Sequence, residues 1–153
     1  MTTALPPHRE PIRDEWIDYN GHVMDGYYSV IFGHAIDAVM VGIGIDADYR
    51  QRTGCSLYTL ESHVRFLHEV KPGTTSEVRT RVVDVDGKRL RLCFEMIVDD
   101  VVVATQESMT IHVDQRAGRS SPWPDEVRSF CEGLVEPPPD YAGRAIGMPP
   151  RSG

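Results

Sequence analysis

The chain has 153 residues, enough for one domain whose core needs no metal or disulfide staple. With 41% hydrophobic and 25% charged residues it has a globular composition, which argues against disordered and fibrous classes. A formal net charge of −7 disfavours non-specific nucleic-acid binding, which needs a basic surface, yet permits a local basic patch for a phosphorylated ligand.

Three cysteines, Cys55, Cys93 and Cys131, are too few and odd in number to give a disulfide framework. Residues 1–11 hold three prolines and no apolar stretch of signal-peptide type, so they read as an extended segment and a reducing, cytoplasmic setting is expected. Residues 12–17, Ile-Arg-Asp-Glu-Trp-Ile, predict a short strand, followed by a turn at Tyr19-Asn20-Gly21. Residues 25–43 predict a helix, because Tyr28, Ile31, Phe32, Ala35, Val39 and Ile43 recur at helical spacing. Asp25 suits the positive end of its dipole, and Gly42 and Gly44 supply a stop. The apolar run 27–45 carries His34 and Asp37, which fits a core helix and not a membrane span.

After a loop at 46–56, strands are expected at 57–67, 75–85, 89–98 and 101–113. Val78, Thr80 and Val82 alternate with Arg79 and Arg81, and Leu90, Leu92, Phe94 and Met96 alternate with Arg89, Arg91, Cys93 and Glu95. That period of two means one buried and one wet face. Matching apolar faces across the Asp86-Gly87 turn sets Val82 opposite Leu92, Val78 opposite Met96 and Arg79 opposite Glu95, which calls for a three-residue loop at 86–88. A short helix follows at 124–134. The organisation read is an extended N-terminal segment (1–11), one domain (12–135) and a C-terminal surface tail (136–153). One helix and a run of antiparallel strands define an α+β fold. The helix is apolar over more of its circumference than one sheet face would cover, which suggests a sheet that wraps around it, a partner copy, or both.

The segment Asp18-Tyr19-Asn20-Gly21-His22 lies between the first strand and the helix. A helix N-terminus offers unsatisfied N–H groups and a positive dipole end, able to polarise a carbonyl oxygen that gains charge. A carboxylate just upstream can act as base or nucleophile. From the residues alone, Asp18 and Asn20 can equally be turn residues and His22 a capping group.

Asp18, Gly21, His22 and the aromatic Tyr28 resemble the signature of the 4-hydroxybenzoyl-CoA thioesterase-like branch of hot-dog proteins. The segments Leu60-Glu61-Ser62-His63-Val64, Val70-Lys71-Pro72-Gly73, Lys88-Arg89-Leu90, 108–114 and Tyr141-Ala142-Gly143-Arg144 are similar to the betainyl-CoA thioesterases of carnitine degradation. The resemblance implies a hot-dog fold, a curved antiparallel sheet around one long apolar helix, and hydrolysis of a short-chain acyl-CoA, betainyl-CoA in particular, in a homodimer or tetramer. It implies Asp18 as the catalytic carboxylate, by nucleophilic or general-base action. It also implies a backbone N–H from Asp25 to the thioester oxygen and a pocket role for His22. The branch often carries an Asn pair after the His, where this chain has Met24 and Asp25; the backbone donor survives that change and an Asn side-chain role does not.

On the same resemblance, Trp16, Tyr19, Asn20, Gly21, Tyr28 and Tyr58 are candidate substrate contacts. Glu61 is either a solvent-facing acid or the anion that meets a trimethylammonium head, a cation also suited to aromatic faces. Arg65, Lys88, Arg89 and Arg144 are candidates for the CoA phosphates. The acyl-CoA itself is the expected ligand, with no cofactor, metal, nucleic acid or membrane. Gly42-Ile43-Gly44-Ile45-Asp46-Ala47 follows a helix and so reads as a helix end, not a dinucleotide fingerprint. The six histidines show no metal-ligand spacing. Nothing near Cys55 in sequence would activate it as a nucleophile. A non-catalytic acyl-CoA-binding or sensor module of the same fold is the alternative.

Overall fold

The computed structural model describes residues 5–150 of the chain. The outermost parts of the expected N-terminal segment and C-terminal tail, residues 1–4 and 151–153, lie outside the described residues. The elements run β1 (His8–Pro11), α1 (Asp25–Gly42), α2 (Ala47–Thr53), β2 (Cys55–Phe66), β3 (Thr75–Val85), β4 (Arg89–Val98), β5 (Val101–Asp114), β6 (Arg119–Ser120) and α3 (Asp125–Leu134). The strands form one antiparallel sheet in the order β1-β3-β4-β5-β2, with β6 on the end of β5.

The sheet is curled around α1. Tyr28, Ile31, Phe32, Ala35, Val39 and Met40 are the helix's buried residues. They meet Val78, Val82, Leu90, Leu92, Phe94 and Met96, which alternate along β3 and β4 and are all at most 1% exposed. The rings of Phe32 and Phe94 lie 6.0 Å apart. Full burial of each such side chain is worth roughly 1.5–3 kcal/mol, so this layer fixes the helix on the sheet. The helix is not covered all round: Val30 and Val41 stay 40% and 64% exposed. Among the described residues no single helix is long and apolar enough to cross a membrane.

The predicted register across β3 and β4 is observed, with Val78 opposite Met96, Arg79 opposite Glu95 and Val82 opposite Leu92. The predicted three-residue loop is corrected. A bulge between Val82 and Asp84 absorbs the odd residue, so Val85 faces Leu90 and Asp86 N–H donates to the Arg89 carbonyl around a tight Gly87-Lys88 turn. The β4–β5 turn uses Asp99 and Asp100, both at positive φ (50° and 62°), the backbone of a two-residue primed turn.

Two further expectations are corrected. The strand predicted at 12–17 is not one: the paired strand is His8–Pro11, and Asp14–Trp16 is a 3-10 turn. Ile12 and Trp16 are both buried four residues apart, a turn's spacing and not a strand's. The segment expected as a loop at 46–56 contains α2, capped by Asp46, whose carboxylate accepts from Tyr49 N–H (2.8 Å), and ended by Gly54 at φ 69°.

Candidate active site

Asp18 to His22 form a reverse loop on a narrow stem. Ile17 bridges Val23, Asp18 N–H donates to the His22 carbonyl (3.0 Å), and Gly21 N–H donates to the Asp18 carbonyl (3.0 Å). Gly21 sits at φ 81°, a conformation that side chains with a Cβ rarely adopt. Asn20 N–H donates to Asp18 Oδ1 (2.8 Å), an Asx turn that fixes the carboxylate. No donor among the described residues reaches Asp18 Oδ2, and the side chain is only partly covered.

The stem leads directly into α1. Val23 N–H donates to the Val70 carbonyl (2.9 Å) and Met24 N–H to the Trp16 carbonyl (2.9 Å), so the loop and the helix start are fixed to one frame. Met24 is the N-cap residue and gives no side-chain cap. Asp25 is the first helical residue, and its Oδ1 accepts from Gly26 N–H (2.8 Å). The first amide of the helix has no acceptor inside it and points out of its positive end.

A groove of about 490 Å³ opens at this helix end, lined by Val23, Asp25, Tyr28, Phe66, Leu67, His68 and Glu69. Tyr28 donates its hydroxyl to the His68 carbonyl (3.2 Å) and sets its ring edge-on to Phe66 at 5.1 Å. Burial pushes the Tyr28 phenol above its ordinary range, so it stays protonated. His22 Nε2 lies 3.0 Å from Glu69 Oε2. The imidazole is therefore engaged with a groove acid.

The sequence candidates thus fall into separate places. Asp18, Asn20, Gly21, His22, Asp25 and Tyr28 gather around the start of α1. Trp16 is 4% exposed and stacks on Tyr27 (5.7 Å between rings), with the Arg13 guanidinium 5.3 Å from its ring; it lines no part of the groove. Tyr19 is 98% exposed at the loop tip. Tyr58 sits near the start of β2, its hydroxyl accepting from Gln115 Nε2 (2.8 Å).

Glu61 follows a bulge in β2, opposite Met109, and lines a different cavity of about 330 Å³ with His63, Arg91, Glu107 and Arg144. There Arg91 pairs with Glu107 (3.0 Å), and Gly143 N–H donates to the same carboxylate (2.8 Å). Arg65 lies further along β2, opposite Thr105. Arg89 is held within the β3–β4 turn by Asp86 (2.6 Å) and Lys88 donates to Ser120 Oγ of β6 (3.2 Å), so both cations are engaged. The backbone N–H groups of Lys88 and Arg89, with the Arg89 guanidinium, hold the Asp86 carboxyl down at about 2. Burial raises the Cys93 thiol to about 12 and the Cys131 thiol to about 11, which leaves neither as a thiolate nucleophile.

Phe66, His68 and Glu69 line the groove and were not singled out from the sequence. Phe66 ends β2 and the other two follow it; long-range contacts, including the hydrogen bonds from Val23 to Val70 and from Tyr28 to His68, bring that segment to the helix end.

The family model described as the Thioesterase-like superfamily matches residues 12–131. The chain belongs to this superfamily. It is 41% identical over 157 aligned positions to the betainyl-CoA thioesterase of Pseudomonas aeruginosa, with 98% of this chain and 99% of that protein covered. It is 42% identical to the L-carnitine dehydrogenase/betainyl-CoA thioesterase of Agrobacterium fabrum, where 91% of this chain matches 30% of a longer protein. Among solved structures, a protein of Staphylococcus aureus in complex with CoA superposes with a TM-score of 0.89 at 26% identity, covering 97% of this chain and 98% of that one. A proposed thioesterase of Pseudomonas putida KT2440 gives 0.82 at 37% identity, covering 97% and 99%. The curled sheet around one helix is the hot-dog fold of these thioesterases.

Proposed function

We propose that this acyl-CoA thioesterase hydrolyses betainyl-CoA to betaine and CoA, with Asp18 as the catalytic carboxylate and the backbone N–H of Asp25 holding the thioester oxygen. The placement of a partly free carboxylate and a helix N-terminus on one rigid stem, beside an aromatic groove, carries the chemical part of the assignment. Full-length relatedness to a betainyl-CoA thioesterase supports the substrate.

Asp18 Oδ2 takes a proton from water as the water oxygen attacks the thioester carbon. Charge that builds on the carbonyl oxygen meets the Asp25 amide and the positive helix end. The C–S bond then breaks, and the proton passes from Asp18 to the departing CoA thiolate. If Asp18 attacks directly, its oxygen bonds to the thioester carbon as the C–S bond breaks and the CoA thiolate leaves, and water then opens the resulting mixed anhydride to betaine and the free Asp18 carboxylate. Label found in the Asp18 carboxylate after a single turnover in ¹⁸O-water would establish the anhydride route, with water opening the anhydride at the Asp18 carbonyl carbon.

The trimethylammonium of a betainyl group suits the aromatic Tyr28 and Phe66 with an anion nearby. Glu69 already lines this groove, while Glu61 is proposed as a second anion at the outer cavity. A homodimer or larger assembly fits an open β2 edge twelve residues long that exposes Leu60 and Phe66. Residence in the cytoplasm fits a chain whose thiols are unpaired.

The test is thiol release from a panel of acyl-CoAs. Release from betainyl-CoA far above acetyl-CoA is expected. Preference for acetyl-CoA overturns the substrate, and no release from any of them leaves the binding-module alternative.

A further inference from the structure

Away from the groove, His8, Glu10 and His34 turn their polar atoms toward one another. His34 Nδ1 lies 2.8 and 3.0 Å from the two Glu10 oxygens, and His8 Nε2 lies 3.3 Å from Glu10 Oε1. One candidate ligand atom from each residue falls within 4.8 Å of the other two. Among the described residues this is the one group of three or more metal-binding side chains so disposed. We propose that these three residues bind a divalent transition metal of the Zn²⁺ class, tying the first strand to the long helix.

The donor set fits. Two imidazoles and one carboxylate are a Zn²⁺ set that leaves a fourth position for water. Tetrahedral bonds of about 2.0–2.1 Å put neighbouring ligand atoms about 3.3 Å apart, so small rotations of these side chains suffice. Strand geometry explains the pair on β1: His8 and Glu10 are two residues apart and share a face, while Arg9 and Pro11 point to solvent. His34 comes from the facing turn of α1.

The supports are stiff. β1 is in register with β3, Glu10 opposite Ser76, and Ser76 Oγ donates to the Glu10 carbonyl (3.2 Å). A site carried on a strand and a helix keeps its geometry better than one on loops. The Glu10 side chain is 12% exposed, so its charge is largely withdrawn from water and a cation would offset that cost. The His34 side chain is 38% exposed, which gives an ion an entry path.

His34 lies nine residues beyond Asp25, or about 13 Å along the helix. The metal is therefore structural and takes no part in thioester chemistry. No spacing within a single segment reveals the set, because its members come from two elements.

The full-length, tag-free chain, stripped with a chelator, is titrated with Zn²⁺ by calorimetry and with Co²⁺ by visible absorption. One equivalent should bind, a ligand-field band should appear, and the melting temperature should rise. His34→Ala and Glu10→Gln should each weaken Zn²⁺ binding more than about 100-fold, beyond what an outer-shell change costs. Both should keep acyl-CoA turnover within about twofold. His63→Ala, on the outer sheet face, should bind as the unaltered chain does. No saturable binding to the unaltered chain overturns the proposal, whatever the variants do. So does binding that survives both His8→Ala and His34→Ala.

Discussion

At the start of α1 polar groups are held by backbone bonds and left open on one side. Across the sheet, on the outer face of β4 and β5, Arg91 and Glu107 are consumed by one another. Asp18 spends Oδ1 on the Asn20 amide and keeps Oδ2 free. Glu107 takes the Arg91 guanidinium and the Gly143 amide on a single oxygen and lies against the Cys93 thiol. Both regions hold acids near a cavity. Only the first combines an open acid with a helix N-terminus, which is what separates chemistry from structure here.

The largest effect should come from Asp18→Asn. An Asn side-chain oxygen still accepts the Asn20 N–H, so the turn survives and only basicity and nucleophilicity are lost. Turnover should fall roughly 10²–10⁴-fold, the usual worth of a positioned acid–base group, with the melting temperature unchanged. A large drop in melting temperature would make Asp18 a turn residue instead.

The two regions were unequally legible in the sequence. The β3–β4 register followed from apolar pairing, because Val78, Val82, Leu92 and Met96 can share a core only one way. The loop count at the turn was not legible, since the bulge at Val83 moves the odd residue out of the loop without changing that pairing. Asp18 and Asp25 could be placed before and at the start of α1 by pattern alone, although the strand expected ahead of them is a 3-10 turn. Glu61 could not be assigned a face, because the irregularity between Thr59 and Glu61 resets the alternation along β2. The trio of Val23, Val70 and His68 depends on long-range hydrogen bonds that no local period encodes.

Next in size is Glu107→Ala on the outer face. It strands Arg91, partly buried at 28% side-chain exposure, and frees the Gly143 amide. A loss of about 1–3 kcal/mol is expected in urea melts. Hydrogen exchange should quicken around 140–146, where Tyr141 still donates to the Phe94 carbonyl (3.0 Å). Turnover should change little; a loss as deep as that of Asp18→Asn would erase the distinction between the two regions.

Glu61→Gln sharpens the comparison, because Glu61 belongs to the outer region by geometry and to the substrate by proposal. The Michaelis constant for betainyl-CoA should rise about tenfold, equivalent to ~1.4 kcal/mol, with kcat little changed. An unchanged constant would leave cation recognition to Tyr28, Phe66 and Glu69 in the groove.

The smallest effect concerns Asp86, whose carboxylate is engaged at both oxygens. It accepts from Lys88 and Arg89 N–H (2.9 and 2.7 Å) and pairs with the Arg89 side chain. Its carboxyl titrates at about 2 in the folded chain against 3.8 ordinarily, so the unfolded chain binds the proton more readily. The stabilisation is therefore complete above about pH 4 and fades as pH falls through 2. The side chain is 44% exposed and screened by water, so the whole effect should stay below about 1 kcal/mol. Urea melts of Asp86→Ala against the unaltered chain should differ at pH 7 and converge near pH 2. A gap that persists at pH 2 would mean the turn is held by backbone geometry, and that the charge on Asp86 contributes nothing to it.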